Sequence, residues 1–217
     1  MKKLSMIVYA VSMVFALCTL VSCSSNFTDD RDGQSYSVVE IAGQLWMAEN
    51  LNYAGSEVAA GSFCPDGDDR NCKKYGRLYT WEAAKVACPA GWRLPTAGDF
   101  QKLIAAADPA SENLAAAGNK AGSALKASSG WFKKGDGKDA LGFAALPAGY
   151  MTAADPSEGK TAGKFDGIGG YAHLWSETAD PQESAFAQYL YLDFSSDAAR
   201  ISSFSATDAR SVRCVKN

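Results

Sequence analysis

The cysteines limit the fold of this chain more than any other feature, and their positions divide them into two groups. The sequence has six. Cys18 and Cys23 lie in an N-terminal segment that starts with Lys2-Lys3, continues through an apolar stretch from Leu4 to Val21, and ends in Leu20-Val21-Ser22-Cys23. A short basic start, an apolar middle and a small residue before the cut are the parts of a secretory leader. A cysteine just past the cut is what lipoprotein processing needs, because its thiol carries the diacylglycerol. The apolar stretch is near the lower length limit for a membrane span, and Ser5, Tyr9, Ser12 and Thr19 interrupt it. Residues 1–22 therefore read as a signal peptide and Cys23 as the lipidated residue.

Cys18 leaves with the leader and Cys23 is consumed by lipid. Cys64, Cys72, Cys88 and Cys214 remain. An even number in an exported domain reads as disulfides, and four cysteines allow three pairings. We take Cys64 with Cys72, which bracket the turn-forming run Pro65-Asp66-Gly67-Asp68-Asp69-Arg70-Asn71, and Cys88 with Cys214. Loop reasoning alone does not choose the second pair. Chain entropy assigns about 2.5 kcal/mol to the short loop and about 5 kcal/mol to the long one. The spacings contain no Cys-x-x-Cys and the chain has one histidine, which argues against both a zinc site and a redox pair.

The formal net charge is −3, and loss of Lys2 and Lys3 makes it more negative. An acidic chain is a poor match for nucleic acid or for electrostatic binding to anionic lipid. Attachment to the membrane is therefore expected through the N-terminal lipid, at about 0.8 kcal/mol per buried methylene and with more than one acyl chain. Ser24 rather than Asp after the lipidated cysteine resembles an outer-membrane sorting signal, and Asp29, Asp30 and Asp32 fit surface display.

Past the leader, residues 23–31 are short, polar and acidic and read as a lipidated tether. The folded domain is expected over residues 32–217. Tyr36, Val38, Val39 and Ile41, a turn at Ala42-Gly43, and Leu45-Trp46-Met47 predict a β-hairpin. Thr80 to Ala87 has helix-forming composition and is stopped by Pro89 and Gly91. Thr96 and Asp99 predict a capped helix, with Phe100, Leu103, Ile104 and Ala107 on one face and Pro109 at its end. Residues 112 to 140 are rich in Ala, Gly, Ser and Lys and escape assignment. Strand-like pieces follow at Gly142 to Leu146, Ala172 to Trp175, Gln188 to Phe194 and Ser211 to Val215. The third places Leu190, Leu192 and Phe194 on one face and Tyr189 and Tyr191 on the other. Strands, two helices, then strands predict an α+β class in one domain.

Several ordered motifs carry a family resemblance. They are Asp32-Gly33-Gln34-x-Tyr36, Trp46-Met47-Ala48-Glu49-Asn50-Leu51-Asn52-Tyr53, Tyr75-Gly76-Arg77-Leu78-Tyr79-Thr80-Trp81, Cys88-Pro89-x-Gly91-Trp92-Arg93-Leu94-Pro95-Thr96, and Ser211-Val212-Arg213-Cys214-Val215. From Asp32 to the C-terminus the chain resembles the Fibrobacter succinogenes major paralogous domain. That family is similar to the C-type lectin-like fold, of which the formylglycine-generating enzymes are an elaborated branch. The resemblance implies chain ends that meet in one hairpin, short antiparallel sheets, long irregular loops, and a long disulfide from the first helical region to the last strand. This supports Cys88 with Cys214. Trp46, Trp81 and Trp92 read as core. Arg77 and Arg93 are expected to hold carboxylates or carbonyls through their donor forks, and Asn50 and Asn52 to lock loops.

Catalytic constellations are not assembled in this sequence. Formylglycine-type chemistry needs an available thiolate, and Cys214 is wanted by Cys88. His173, in Gly169-Gly170-Tyr171-Ala172-His173-Leu174-Trp175, has no nucleophile elbow beside it and reads as a hydrogen-bonded structural residue. Glu49, Glu177 and Asp180 are acids by type only, with nothing to pair them across a cleft. Calcium-dependent sugar binding would need oxygen ligands where Leu174-Trp175-Ser176-Glu177-Thr178 stands, and Asp66-Gly67-Asp68-Asp69 reads as a solvated turn. No metal or cofactor is expected.

What remains is a binding surface. Trp131, Phe132, Tyr150, Tyr171, His173 and Trp175 lie in or beside glycine-rich loops and form the candidate ligand-binding set. Within it Trp131 is the expected exposed platform, while Tyr150 and Trp175 are expected to fill the core. The resulting expectation is a non-catalytic, lipid-anchored envelope protein that binds polysaccharide or a surface protein. The alternatives are a structural or assembly component of the outer envelope and an enzyme of unrecognised type. Protease shaving of intact cells tests the address: surface display predicts loss of the protein without lysis, whereas survival until lysis would place it facing the periplasm.

Overall fold

The computed structural model describes residues 25–110, 118–154, 157 and 163–217. The leader, Cys23 and Ser24 lie outside the described residues. Folding begins earlier than the expected boundary at residue 32, with β1 (Ser25–Thr28) paired to β2 (Ser35–Ile41). Phe27 packs on Trp92 at 5.0 Å between ring centroids. Asp29 is fully buried and accepts from the backbone and guanidinium of Arg31, whose Nη2 also donates to the carbonyl of Ala87 at 2.7 Å. The stretch expected to be a tether is therefore part of the domain. An edge strand needs backbone pairing and a single apolar contact, so polar composition hid it.

β2 returns through Ala42 and Gly43, at φ 54° and 74°, into β3 (Gln44–Met47). Two consecutive positive φ values make the tight turn whose twist suits a hairpin. β4 (Ser62–Phe63), α1 (Asp69–Tyr75) and β5 (Leu78–Thr80) follow. Next come α2 (Trp81–Ala87), capped by Thr80, then β6 (Trp92–Arg93) and α3 (Ala97–Ala107). The cap of α3 is the reciprocal pair foreseen, Thr96 with Asp99. Burial pushes the Asp99 carboxyl up, but donors from Arg93, Gln44 and Thr96 outweigh it and hold the group well below the usual carboxylate range.

The described residues hold four helices rather than the two expected. α1 occupies the supposed turn between Cys64 and Cys72, started by the Asp68 side chain accepting from the Arg70 N–H. α4 (Ala121–Leu125) lies in the unassigned small-residue stretch. Both are short, so neither shows a helical period long enough to read.

The later strands are β7 (Ala148–Thr152), β8 (Lys164–Ile168), β9 (Tyr171–Ala179), β10 (Phe186–Asp193), β11 (Arg200–Ser205), β12 (Ala209–Ser211) and β13 (Val215–Lys216). One sheet has the order β1-β2-β3-β13-β6, so the first and last strands share it. The other runs β11-β10-β9-β7-β12-β5-β4, with β8 beside β7. Pairing is mostly antiparallel, but β9 runs parallel to β7 and to β12. This is an α+β domain.

Two expected strands come out differently. Gly142 to Leu146 forms no strand, because the carbonyls of Phe143 and Ala144 are taken by the Arg213 guanidinium. Ser211 to Val215 is broken between β12 and β13, where the chain passes from one sheet to the other. At this crossing the Met47 N–H donates to the Cys214 carbonyl at 3.0 Å and the Leu51 N–H to the Val212 carbonyl at 2.8 Å. Arg213 Nε donates to Asn50 Oδ1 at 2.8 Å, and Asn50 in turn donates to the Tyr75 carbonyl. Gly76, at φ 73°, lies so close to Asn50 and the Leu51 carbonyl that a Cβ would meet them at 2.8 Å. Glycine is required there both by the left-handed backbone and by space.

Trp46 and Trp92 are buried as expected, whereas Trp81 is half-buried with its indole N–H donating to the Ser176 carbonyl. Arg93 holds Asp99 at 2.7 Å. Arg77 instead meets Ser62 and the sulfurs of Cys64 and Cys72. Both expected disulfides are present, Cys64–Cys72 and Cys88–Cys214, with Cα atoms 4.9 and 5.9 Å apart. They close loops of very different length. Replacing Cys88 and Cys214 together by serine should lower unfolding stability by about 4–5 kcal/mol, against about 2.5 kcal/mol for Cys64 with Cys72. Urea titration of the two double variants measures the order, and equal losses would contradict it.

Candidate functional site

Strand alternation builds two unlike faces on the larger sheet. Ala172 and Leu174 of β9 and Leu190 and Leu192 of β10 join a core with Phe100 and Leu103 of α3. The residues between them point to the opposite face. There Tyr191 sits opposite His173 and Tyr189 opposite Trp175. Tyr150 of β7, Phe204 of β11 and Arg210 of β12 complete an open cleft of about 280 Å³, with Tyr171, Thr152 and Asp208 also in its wall.

At its centre is His173, 5% exposed and enclosed by rings. Tyr150 stacks on the imidazole at 4.9 Å and 18°, and Tyr189 and Tyr191 lie at 4.9 and 5.1 Å. Neither imidazole nitrogen has a hydrogen-bond partner among the described residues. Burial, followed by the nearby Arg210 charge, holds the imidazole pKa well below its ordinary value, so the ring is neutral. The expectation of a hydrogen-bonded structural histidine is thus corrected: aromatic neighbours fill the space that a polar partner would need.

Arg210 is 2% exposed, with its guanidinium carbon 4.4 Å from the ring centroids of both Trp175 and Tyr189. Its Nη2 donates to Asp208 Oδ2 at 3.3 Å, while Nε and Nη1 have no acceptor in hydrogen-bond geometry among the described residues. Burial lowers its pKa, with Tyr189 and Asp208 acting against that effect, and a guanidinium in a protein keeps its proton. Burial likewise pushes the Tyr191 phenol up to about 12, with Asp193 and Tyr171 adding to the effect. A buried polar group without a partner costs about 1–3 kcal/mol. Two such side chains in one aromatic cleft are a reason to look for a ligand.

The structure gathers half of the expected binding set. Tyr150, Tyr171 and His173 meet in the cleft, and Tyr150 belongs to its wall rather than to the core as expected. Trp175 is fully buried beneath Arg210, as expected, and its indole N–H donates to the Tyr79 carbonyl at 2.7 Å. Trp131 is not an exposed platform but 5% exposed. Its indole N–H donates to the Ala145 carbonyl, and the Lys126 ammonium lies 5.2 Å from its ring. Lys126 is itself buried and donates to the carbonyls of Asp193 and Ser196, which draws the loop inward over Trp131. Phe132 is the exposed member, 54% accessible and seated against Gly169. Sequence reasoning missed Tyr189, Tyr191, Phe204 and Arg210. The Tyr189/Tyr191 alternation was the available signal for the first two.

Among the described residues no three His, Cys, Asp or Glu side chains are grouped to hold a metal ion. No described helix is long and apolar enough to cross a membrane. Among the described residues neither nitrogen of His173 is hydrogen-bonded to a hydroxyl or a carboxylate. Its depressed pKa has a consequence for stability. The unfolded chain takes up a proton near pH 6.5 that the native ring refuses, so stability falls as pH drops from about 6.5, by up to about 1.4 kcal/mol per unit. Asp99, held low, loses its contribution only below about pH 4. His173→Phe should flatten thermal stability between pH 6.5 and 4.5 relative to the parent, and an unchanged slope would refute the assignment.

Residues 39–216 match the family model described as the Fibrobacter succinogenes major domain. No curated protein and no solved structure matches the chain. The match begins within β2 and covers β3, both disulfides, the cleft and the final strand, and by it the chain belongs to the Fibrobacter succinogenes major domain family.

Proposed function

We propose that this protein is a lipid-anchored, non-catalytic component of the cell envelope whose domain binds polysaccharide. The observation that carries the reading is the aromatic cleft over His173 and Arg210, where stacking surfaces surround buried nitrogens that have no hydrogen-bond partner among the described residues. Sugar rings offer both complements, an apolar C–H face for tyrosine rings and hydroxyls for the polar floor. A C-type lectin-like fold is supported by the first and last strands sharing one sheet and by the long Cys88–Cys214 bridge. Anchoring and outer-membrane display rest on the Leu20-Val21-Ser22-Cys23 signal. Lipid at Cys23 leaves the cleft no part in attachment.

The test is a pull-down of the full chain, held in detergent, against plant and bacterial polysaccharides. Tyr171→Ala and Tyr191→Ala should each weaken capture several-fold, in line with about 1 kcal/mol for an aromatic contact. Trp131→Ala should act only through stability. Absence of capture by every polysaccharide would reject the sugar reading, and crosslinking in intact cells would then look for a protein partner.

A further inference from the structure

The cleft floor has a donor excess that narrows the class of sugar it fits. Arg210 is donor-only, and two of its three nitrogens, Nε and Nη1, are buried with no acceptor in hydrogen-bond geometry among the described residues, although the Tyr189 side chain interacts with the guanidinium. A neutral imidazole adds one donor and one acceptor at His173, both also unused. The nearest carboxylate is already committed. Asp208 Oδ2 takes Arg210 Nη2 at 3.3 Å, and its Oδ1 takes the Ala153 N–H at 3.0 Å. The ligand that satisfies this floor brings more acceptors than donors, and at least one of them should suit a buried cation. A purely neutral glycan brings hydroxyls, each of which is donor as well as acceptor, and leaves Asp208, at 3.3 Å, as the one carboxylate paired with the guanidinium among the described residues. A quaternary ammonium ligand, which aromatic cages otherwise favour, is opposed by the same charge.

Building on the polysaccharide reading above, we infer that the cleft recognises a carboxylate-bearing sugar, a uronic acid unit of an acidic polysaccharide. Its carboxylate meets Arg210 while its ring stacks on the tyrosines. The geometry favours this assignment because Arg210 already lies between aromatic faces, with its guanidinium carbon 4.4 Å from Trp175 and Tyr189 and 5.7 Å from Phe204. A charge-assisted hydrogen bond formed there is shielded from water and stronger than one at the surface. A cleft of about 280 Å³ is at the small end of ligand sites, so it suits a short stretch of chain. The protein's overall acidity lends no help in attracting such a polymer, so the contact must be local.

The experiment titrates the full chain in detergent with short oligomers of galacturonate, glucuronate and mannuronate, and with the carboxyl-reduced counterpart of each. At least one acidic oligomer should bind about tenfold or more tightly than its reduced form, as expected for losing one charged hydrogen bond. That margin should collapse in Arg210→Gln and be kept in part by Arg210→Lys. The comparison of acidic with reduced oligomer uses the unaltered protein, so it stands even if Arg210→Gln fails to fold. Equal binding of both forms, or a margin untouched in a folded Arg210→Gln, overturns the uronic acid assignment and leaves the polysaccharide reading in place. Failure of every acidic and every neutral oligomer overturns both.

Discussion

The fold depends on one crossing, where Arg213 and Cys214 carry the chain from the larger sheet to the smaller. Arg213 is completely buried, forms no ion pair among the described residues, and spends its donors on Asn50 and on the carbonyls of Phe143 and Ala144, with the charges of Asp139 and Glu49 acting from farther off. Burial lowers its pKa to about 9. Taking an isolated cation out of water is costly unless all its donors are met, so these three acceptors must stand where they do. The requirement fixes the Asn50 loop and the Phe143–Ala144 turn together. The adjacent Cys214 adds the bond to Cys88, and the crossing is thereby held covalently as well as by hydrogen bonds.

The candidate cleft is linked to this point by three residues of chain. Arg210 lies on β12 and Arg213 just past its end, so the constraint that places one guanidinium in the core places the other under the cleft. The two differ in what surrounds them. Arg213 finds acceptors on the Asn50 and Phe143–Ala144 loops, whereas Arg210 is enclosed by aromatic faces and shares one carboxylate. A protein that satisfies one buried guanidinium and leaves its neighbour open has the pattern of a scaffold beside a site, and sites are where local rules are broken.

Much of the framework was legible because it rests on local or covalent chemistry. The Thr96–Asp99 cap, the Ala42-Gly43 turn and the leucine face of β10 follow from short-range rules, and all appear in the structure. Less of the site was legible. Trp131 looked exposed because its sequence neighbours are glycine and lysine, yet Lys126, from five residues away, reaches across to carbonyls of the 193–196 segment and covers it. β1 was hidden by its polar composition and α4 by its brevity. Arg210 stands just before the Ser211–Val215 motif and carries no local signal of its own.

By itself the sequence determined the α+β class, the family, the four cysteines available for bridges, and the expectation of export at Cys23. Those properties depend on residue type and short spacing. Tertiary structure alone decided that Tyr150, His173, Tyr191 and Arg210 share one face, since they come from four strands whose order β10-β9-β7-β12 does not follow the chain. It also decided that the polar atoms among them go without partners. Satisfaction of a buried donor depends on what every other segment brings to it, and no local pattern records that.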